Sequence, residues 1–189
     1  MQQIQTARLV MTPGAVARRA LAVLAGAVLV ALSAQVAIPV PGTPVPVTLQ
    51  VAAVLIVGGL LGPRLGAASM AIYLAFGAAG LPVFAPVGVP GVARLIGPTG
   101  GYLLAYPLAA AVIGVAVSGG RSWVWLASGL LGGAAAIHLG GIAQLAVLGG
   151  DLTTAAAVGS LPFLVPDLVK LLFAGVILRR FATKARALL

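Results

Sequence analysis

The sequence alternates between long apolar runs and short breaks rich in glycine, proline or arginine. Apolar runs of this length predict helices that cross a membrane, because a span needs about 20 residues. We expect helices at 20–37, 48–61, 67–79, 102–117 and 123–148, and a last one that ends at residue 180. They are called predicted helices 1 to 6 in chain order.

The breaks differ in character. Residues 38–47 contain four prolines, which forbid a helix and favour an extended chain. Residues 80–101 contain four prolines and six glycines but are mostly apolar. Irregular apolar backbone in a membrane protein is tolerated where it packs into protein or lines a cavity, so we expect this segment to form a lid.

Composition supports the membrane interpretation. The 189 residues are 61% hydrophobic and 7% charged, whereas a soluble domain carries roughly a quarter charged residues. We therefore expect an all-α integral membrane protein with one six-helix membrane domain at 18–181, an N-terminal tail at 1–17 and a basic tail at 182–189. The run 20–37 also has the basic start and apolar core of a signal peptide, but a first transmembrane helix is the simpler interpretation.

The net charge of +9 is explained by membrane topology rather than by nucleic-acid binding. Basic residues concentrate on the cytoplasmic side of membrane proteins. With six helices, the two tails and the 2–3 and 4–5 turns share one side, and together they hold nine of the eleven basic residues. Both termini are therefore expected in the cytoplasm, and the loops at 38–48, 80–101 and 149–160 are expected outside.

Several kinds of chemistry are poorly supported by the sequence. It has no cysteine, two acidic residues and one histidine, and it lacks a phosphate-binding Gly-x-x-x-x-Gly-Lys-Ser/Thr motif. We expect no enzyme activity, no metal and no cofactor, and any ATP would be hydrolysed by a partner. For His138 we expect a packing contact.

Asp167 and Lys170 are the charged residues inside an apolar run that should cross the membrane. They are three residues apart and therefore share a helix face, and ionisable groups at such depth are costly unless paired. Pro166 suits the first turn of a helix, so Asp167 should lie in the first turn of predicted helix 6, near the outer face. The pair either caps and neutralises the helix locally or forms a wall of an outward-facing ligand cavity.

Other polar and aromatic residues are candidates for the same cavity. Arg94 is either a solvated loop charge or the partner of a ligand carboxylate, which a guanidinium binds with two hydrogen bonds. Gln50 and Gln144 are candidate hydrogen-bonding groups, and Gln50 could instead bond the proline-rich loop. Phe84 and Tyr102 could supply apolar walls or simply pack.

Small residues recur four apart on predicted helix 1 and allow close helix–helix approach. The face either packs inside the bundle or docks a partner subunit. Its members are Ala22, Gly26, Ala27 and Ala31.

Taken together, the motifs resemble those of the BioY family, the biotin-specific substrate-binding (S) components of energy-coupling-factor (ECF) transporters. The resemblance covers about residues 18 to 180. Its motifs are Val47-Thr-Leu-Gln50, Gly62-Pro63, Gly80-Leu-Pro-Val-Phe84, Gly97-Pro-Thr-Gly-Gly-Tyr102, Leu161-Pro-Phe163 and Asp167-x-x-Lys170.

The resemblance implies an S-component fold in a prokaryotic plasma membrane, high-affinity biotin uptake, and a partner module of one transmembrane T component and two ATPases. It also implies that the small-residue face of predicted helix 1 meets the T component. An S component for another vitamin, and a channel or structural membrane subunit, remain alternatives.

Biotin suits the candidate residues. Asp167 can accept from a ureido N–H, Lys170 can donate to the ureido carbonyl or the carboxylate, and Arg94 can pair with the carboxylate. Further bonds are expected from the Thr99 hydroxyl and from the backbone N–H groups of the loop, including Gly100 and Gly101, because glycine allows close approach.

Overall fold

The computed structural model describes residues 12–120 and 122–189, and within these ranges the chain is mainly helical. A two-stranded antiparallel sheet and a short 3₁₀ helix, Leu161–Phe163, complete the fold. The elements in chain order are α1 Pro13–Ala34, β1 Ala37–Ile38, β2 Val47–Thr48, α2 Gln50–Leu61, α3 Pro63–Ala78, α4 Val92–Ile96, α5 Gly100–Gly119, α6 Trp123–Gly149, α7 Leu152–Gly159 and α8 Leu164–Ala187.

The six predicted helices correspond to α1, α2, α3, α5, α6 and α8, with different ends. α1 begins at Pro13 rather than at residue 20, because Thr12 accepts a hydrogen bond from the Ala15 N–H and proline suits the first turn. α8 continues past Arg180 to Ala187. The predicted start of the first helix and end of the last are therefore wrong, since 13–17 and 182–187 are helical. Residues 1–11 of the predicted N-terminal tail lie outside the described ranges.

The proline-rich segment contains no helix, as predicted, but the expected extended chain is wrong, because the segment turns at 41–42 and its two ends pair. Ala37 lies opposite Thr48 and Ile38 opposite Val47 in an antiparallel register. This pairing of β1 with β2, absent from the prediction, returns the chain to the point where α1 ended. Residues 80–101 are irregular except for α4 and the start of α5.

Four segments are long and apolar enough to cross a membrane: Pro13–Ala34, Gly100–Gly119, Trp123–Gly149 and Leu152–Ala187. The last of these combines α7, the 3₁₀ helix and α8. The two remaining long helices, α2 with 12 residues and α3 with 16, are shorter than a full span.

Helix α2 lies at the centre of the bundle. Nine of its twelve residues are buried, and it packs against α1, α3, α5, α6 and α8. It has no polar face because protein surrounds it on every side. Its first residue, Gln50, is also buried, and this residue marks the end of the bundle where the cavity described below lies.

Helices α5 and α6 form the most extensive helix pair, and glycine makes their approach possible. A Cβ atom on Gly101 would overlap the carbonyl oxygen of Gly140, and a Cβ on Gly140 would overlap that of Gly101. The backbones therefore touch directly, as small residues allow between membrane helices.

Candidate ligand-binding site

A cavity opens at the end of the bundle that carries the β1–β2 hairpin. The empty space that its walls surround, including the open mouth, is about 610 Å³. Most of the lining is apolar. The lining residues are Val45, Pro46, Val47, Thr48, Gln50, Val51, Phe84, Ala85, Arg94, Thr99, Tyr102, Leu103, Tyr106, Ile137, His138, Phe163, Asp167 and Lys170.

Asp167 and Lys170 form an ion pair in the wall of this cavity. The Lys170 Nζ donates to Asp167 Oδ1 over 2.7 Å, and both side chains are buried. Asp167 lies in the first turn of α8, as predicted, where the helix dipole favours a carboxylate. The local pairing and the place in the cavity wall, which the sequence analysis treated as alternatives, therefore occur together.

His138 is a cavity residue that the sequence analysis missed. Its Nε2 lies 2.9 Å from Asp167 Oδ2, and its Nδ1 lies 3.1 Å from the Ser160 hydroxyl oxygen. The expected packing contact is thus a polar network. The signal available in the sequence was an ionisable residue within an apolar span, which is costly unless it is paired.

The connection between α6 and α8 sets the depth of this network. Gly150, at φ +73°, ends α6 in the left-handed conformation, and α7 then runs back along α6. Ser160, at the end of α7, reaches His138, which lies eleven residues before Gly149, or about 16 Å along the helix. α8 therefore starts inside the bundle, at about the level of His138, and the position of Asp167 relative to the outer face stays a prediction.

Gln50 joins the central helix to the neighbouring elements at the cavity. Its side-chain Nε2 donates to the Tyr73 hydroxyl over 2.7 Å, and its Oε1 accepts from the Thr48 hydroxyl over 3.2 Å. It thus contacts the proline-rich hairpin through Thr48 while it also lines the cavity. Both alternatives considered for Gln50 therefore describe part of its environment.

Arg94 is buried rather than solvated, with 6% of its surface exposed. Its Nε donates to the Val89 carbonyl over 2.8 Å and its Nη2 to the Ala85 carbonyl over 3.0 Å. Burial lowers the pKa of the guanidinium, which stays cationic at neutral pH. Its Nη1 has no hydrogen-bond partner among the described residues, so one edge of the group remains available to a ligand.

Thr99, Tyr102 and Phe84 line the cavity as predicted. The Tyr102 hydroxyl donates to the Gly159 carbonyl, so the ring is fixed as a wall and its polar end is satisfied. Phe84 packs edge-on against Tyr73, with ring centres 5.5 Å apart. Tyr106, another wall residue, was not predicted, because a tyrosine in an apolar helix carries no distinguishing signal.

Three predicted residues lie outside the cavity lining. The Gln144 Nε2 donates to the Leu95 and Gly97 carbonyls and so holds the loop before α5. Gly100 and Gly101 are buried, and a Cβ on either would overlap backbone carbonyls of Leu95 and Gly140 respectively. These two glycines serve helix packing, and the direct ligand contact expected of all three is not supported by their position.

The small-residue face of α1 packs mainly inside the protein. Gly26 and Ala27 are buried, and a Cβ on Gly26 would overlap the side chains of Ser69 and Val57. Ala22 and Ala31 are half-buried. Of the two alternatives for this face, internal packing therefore applies to Gly26 and Ala27, because α3 and α2 occupy that side, and docking of a partner stays a prediction.

A largely apolar cavity with a few convergent polar groups, set in a bundle of apolar helices, is typical of a membrane protein that binds a small ligand. The particular group follows from comparison with known sequences. The chain matches the BioY family over residues 3–187 and belongs to it.

Individual relatives agree with this assignment. The chain is 41% identical to a probable biotin transporter BioY of Pyrococcus horikoshii over 80% of this chain and 88% of that protein. It is 39% identical to the biotin transporter BioY of Thermotoga maritima over 76% and 84%. The crystal structure of an S-component for biotin from an ECF-type ABC transporter superposes with a TM-score of 0.80 at 29% identity, covering 90% of this chain and 93% of that one.

Proposed function

We propose that this chain binds biotin and mediates its uptake across the cell membrane as the substrate-specific subunit of an ECF-type transporter. One observation carries the proposal: the buried Asp167–Lys170 pair lines a cavity with apolar walls, and the same lining includes Arg94, whose guanidinium has an unused hydrogen-bond donor. Biotin combines the matching groups in one molecule, a cyclic urea with donors and an acceptor, an apolar ring and chain, and a carboxylate. The names of the relatives support the same ligand.

The two polar regions suit opposite ends of biotin. Asp167 and Lys170 can receive the urea, with the carboxylate accepting from a ureido N–H and the ammonium donating to the ureido oxygen. Arg94 belongs to a connection between helices rather than to the bundle itself, and its free Nη1 can donate to the carboxylate. The urea would then lie deepest, with the valerate chain against Phe84 and Tyr102.

The membrane arrangement belongs to the same proposal. The six long helices would span the membrane, α2 and α3 as short or partly buried spans, with both termini in the cytoplasm and the cavity facing outward. The location would be the plasma membrane of a prokaryote. A T component and two ATPases would drive release to the inside, and biotin would be cargo rather than a cofactor, so the chain itself would have no enzyme activity.

The limits of the membrane domain can be taken from the ends of α1 and α8. We propose a single membrane domain that starts at Pro13 and ends at Ala187, with the amphipathic ends of α1 and α8 at the cytoplasmic surface. The basic residues of these ends, including Arg18 and Lys184, would lie beside anionic lipid headgroups.

Equilibrium binding of radiolabelled biotin to the purified chain in detergent tests the proposal. We expect saturable binding at one site per chain, and at least a 100-fold weaker affinity in Asp167→Asn. Ser128→Ala is a matched control, because this exposed hydroxyl bonds only its own helix at the Trp125 carbonyl. Equal biotin affinity in wild type and Asp167→Asn would contradict the assignment of the site. Absence of saturable binding by wild type would contradict the proposed function.

A further inference from the structure

The carboxylate of Asp167 already has a partner on each oxygen. Lys170 donates to Oδ1 and His138 approaches Oδ2 at 2.9 Å, from two different helices, α8 and α6. A carboxylate oxygen can accept about two hydrogen bonds. Each oxygen therefore keeps room for one further donor, but the orientation of the group is already determined.

The hydrogen-bond direction at His138 follows from the chemistry of its neighbours. An ionised carboxylate only accepts, so the His138 Nε2 carries a proton and donates to Asp167. Nδ1 then faces the hydroxyl of Ser160, which lies 3.1 Å away and can donate to it. Asp167 thus places the proton on Nε2, and the hydroxyl of Ser160 serves as the hydrogen-bond partner of Nδ1.

The three residues come from separate elements, and the network they form therefore fixes the orientation of the carboxylate. His138 lies in the middle of α6, Ser160 at the end of α7, and Asp167 in the first turn of α8. The side chain of His138 is 13% exposed and that of Asp167 is 7% exposed, so water competes little for these hydrogen bonds. A rotation of the carboxylate would require the loss of contacts to two helices together.

We propose that His138 is a positioning residue that, with Ser160 behind it, holds the Asp167 carboxylate so that its remaining acceptor sites point to a ligand N–H. The inference rests on the proposed function and extends it to specificity. A fixed acceptor favours a ligand with an N–H at that place over an analogue in which the nitrogen is alkylated. Preorganised groups discriminate in this way because an unmatched buried acceptor loses its partner.

Substitutions at His138 separate positioning from simple packing. His138→Ala removes the donor, whereas the side-chain amide of His138→Gln can place an N–H where Nε2 lies. Ser160→Ala keeps the imidazole but removes the hydrogen-bond partner of its Nδ1. Ser128→Ala, on the same helix as His138 and exposed, serves as the control.

The measurements are the dissociation constants of biotin and of a ureido-N-methylated biotin for each purified variant, with thermal stability recorded in parallel. Loss of a charge-assisted hydrogen bond corresponds to about a 10- to 100-fold change. We expect His138→Ala to weaken biotin binding by that factor and to reduce the preference for biotin over the methylated analogue. His138→Gln should restore most of both, Ser160→Ala should fall between wild type and His138→Ala, and Ser128→Ala should match wild type.

Two results would overturn the inference. One is a ratio of the two dissociation constants, biotin against the methylated analogue, that is unchanged in His138→Ala, whatever the stability of that variant. The other is a His138→Gln variant whose biotin affinity and ratio are no closer to wild type than those of His138→Ala. Either result leaves the proposed function intact as long as wild type binds biotin. Failure of wild type to bind biotin would instead contradict the function, and the two failures are therefore distinguishable.

Discussion

Each end of the bundle holds an arginine that donates to backbone carbonyls, buried in the case of Arg94 and half-buried in the case of Arg186, and the two are used differently. Near the end opposite the cavity, Arg186 donates from Nε and Nη2 to the Gly59 carbonyl, from Nη2 also to the Gly114 carbonyl, and from Nη1 to the Ser118 hydroxyl. At the cavity, Arg94 makes two hydrogen bonds and leaves Nη1 without a partner among the described residues.

The requirement for Arg186 can be traced to one residue. Gly59 lies in the last turn of α2, and the residue four positions later is Pro63, which has no N–H to give. The guanidinium supplies the missing donor, so its bonding capacity is used to complete the fold. An arginine that is hydrogen-bonded within the bundle therefore does not by itself indicate a binding site, whereas a buried arginine with unused donors beside a cavity does.

The largest effect should come from the ion pair at the cavity. Lys170→Met leaves the Asp167 carboxylate buried without its ammonium partner, which costs about 3 kcal/mol of stability or more, and it removes a ligand donor. We expect at least a 100-fold loss of biotin affinity together with a lower unfolding temperature. The double variant Asp167→Asn with Lys170→Met should recover stability but not affinity; recovery of both would show that the pair serves folding only.

Arg94→Met should give the next largest effect on binding. Removal of the guanidinium takes away the proposed partner of the carboxylate, and a charge-assisted hydrogen bond is worth about 1.5–3 kcal/mol. We expect biotin affinity to fall roughly 10- to 100-fold, and the amide analogue of biotin to lose much less because it lacks the charge. An equal loss for both ligands would assign Arg94 to support of the 85–89 loop instead.

The corresponding substitution at the opposite end should lower stability but leave biotin affinity nearly unchanged. Arg186→Met leaves the Gly59 carbonyl without its donor, and we expect about 1–3 kcal/mol lower stability with biotin affinity within about twofold of wild type. Thermal unfolding and equilibrium binding on the same preparation measure the two quantities. A loss of affinity larger than the change at Arg94 would contradict the division between the two ends.

The smallest effect concerns Asp151, the other acidic residue of the chain. Its carboxylate is exposed and accepts from the Thr153 and Thr154 N–H groups at the start of α7. Hydrogen bonds, chiefly from Thr154, lower its pKa. Because the folded-state pKa is below the unfolded one, the cap is at full strength above about pH 4 and weakens as the pH falls through the folded value.

Hydrogen exchange of the α7 amides checks this prediction. Protection of the α7 amides should decrease below about pH 4 in wild type, after correction for the intrinsic exchange rate, and Asp151→Ala should show the lower protection at every pH. Biotin affinity should stay near wild type, since Asp151 is not part of the cavity lining. A pH-independent difference in protection between the two proteins from pH 3 to 6 would contradict the cap.

Features that depend on residues close together in the sequence were predictable, and features that depend on contacts between distant segments were not. The long helices, the lack of a helix in the proline-rich segment and the Asp167–Lys170 pair follow from local patterns, such as apolar run length, proline content and i,i+3 spacing. The reversal of α7 does not, because it depends on contacts between α7 and α6, and so the depth of Asp167 and its contact with His138 were not predictable.

The glycines show the same limit. Gly100 and Gly101 resemble loop glycines beside a ligand, but in the structure they allow α5 to meet Leu95 and Gly140. On α1, a face of small residues suits an internal neighbour as well as an external partner. The sequence has no signal that separates these cases, since both require only the absence of a bulky side chain.

Equilibrium binding of biotin to the purified wild-type chain, with riboflavin and thiamine as competitors, tests the central claim most directly. The account predicts saturable biotin binding with one site per chain, displaced by unlabelled biotin and unaffected by the other two vitamins. Displacement by riboflavin or thiamine at similar concentrations, or the absence of saturable biotin binding by a folded preparation, would contradict it.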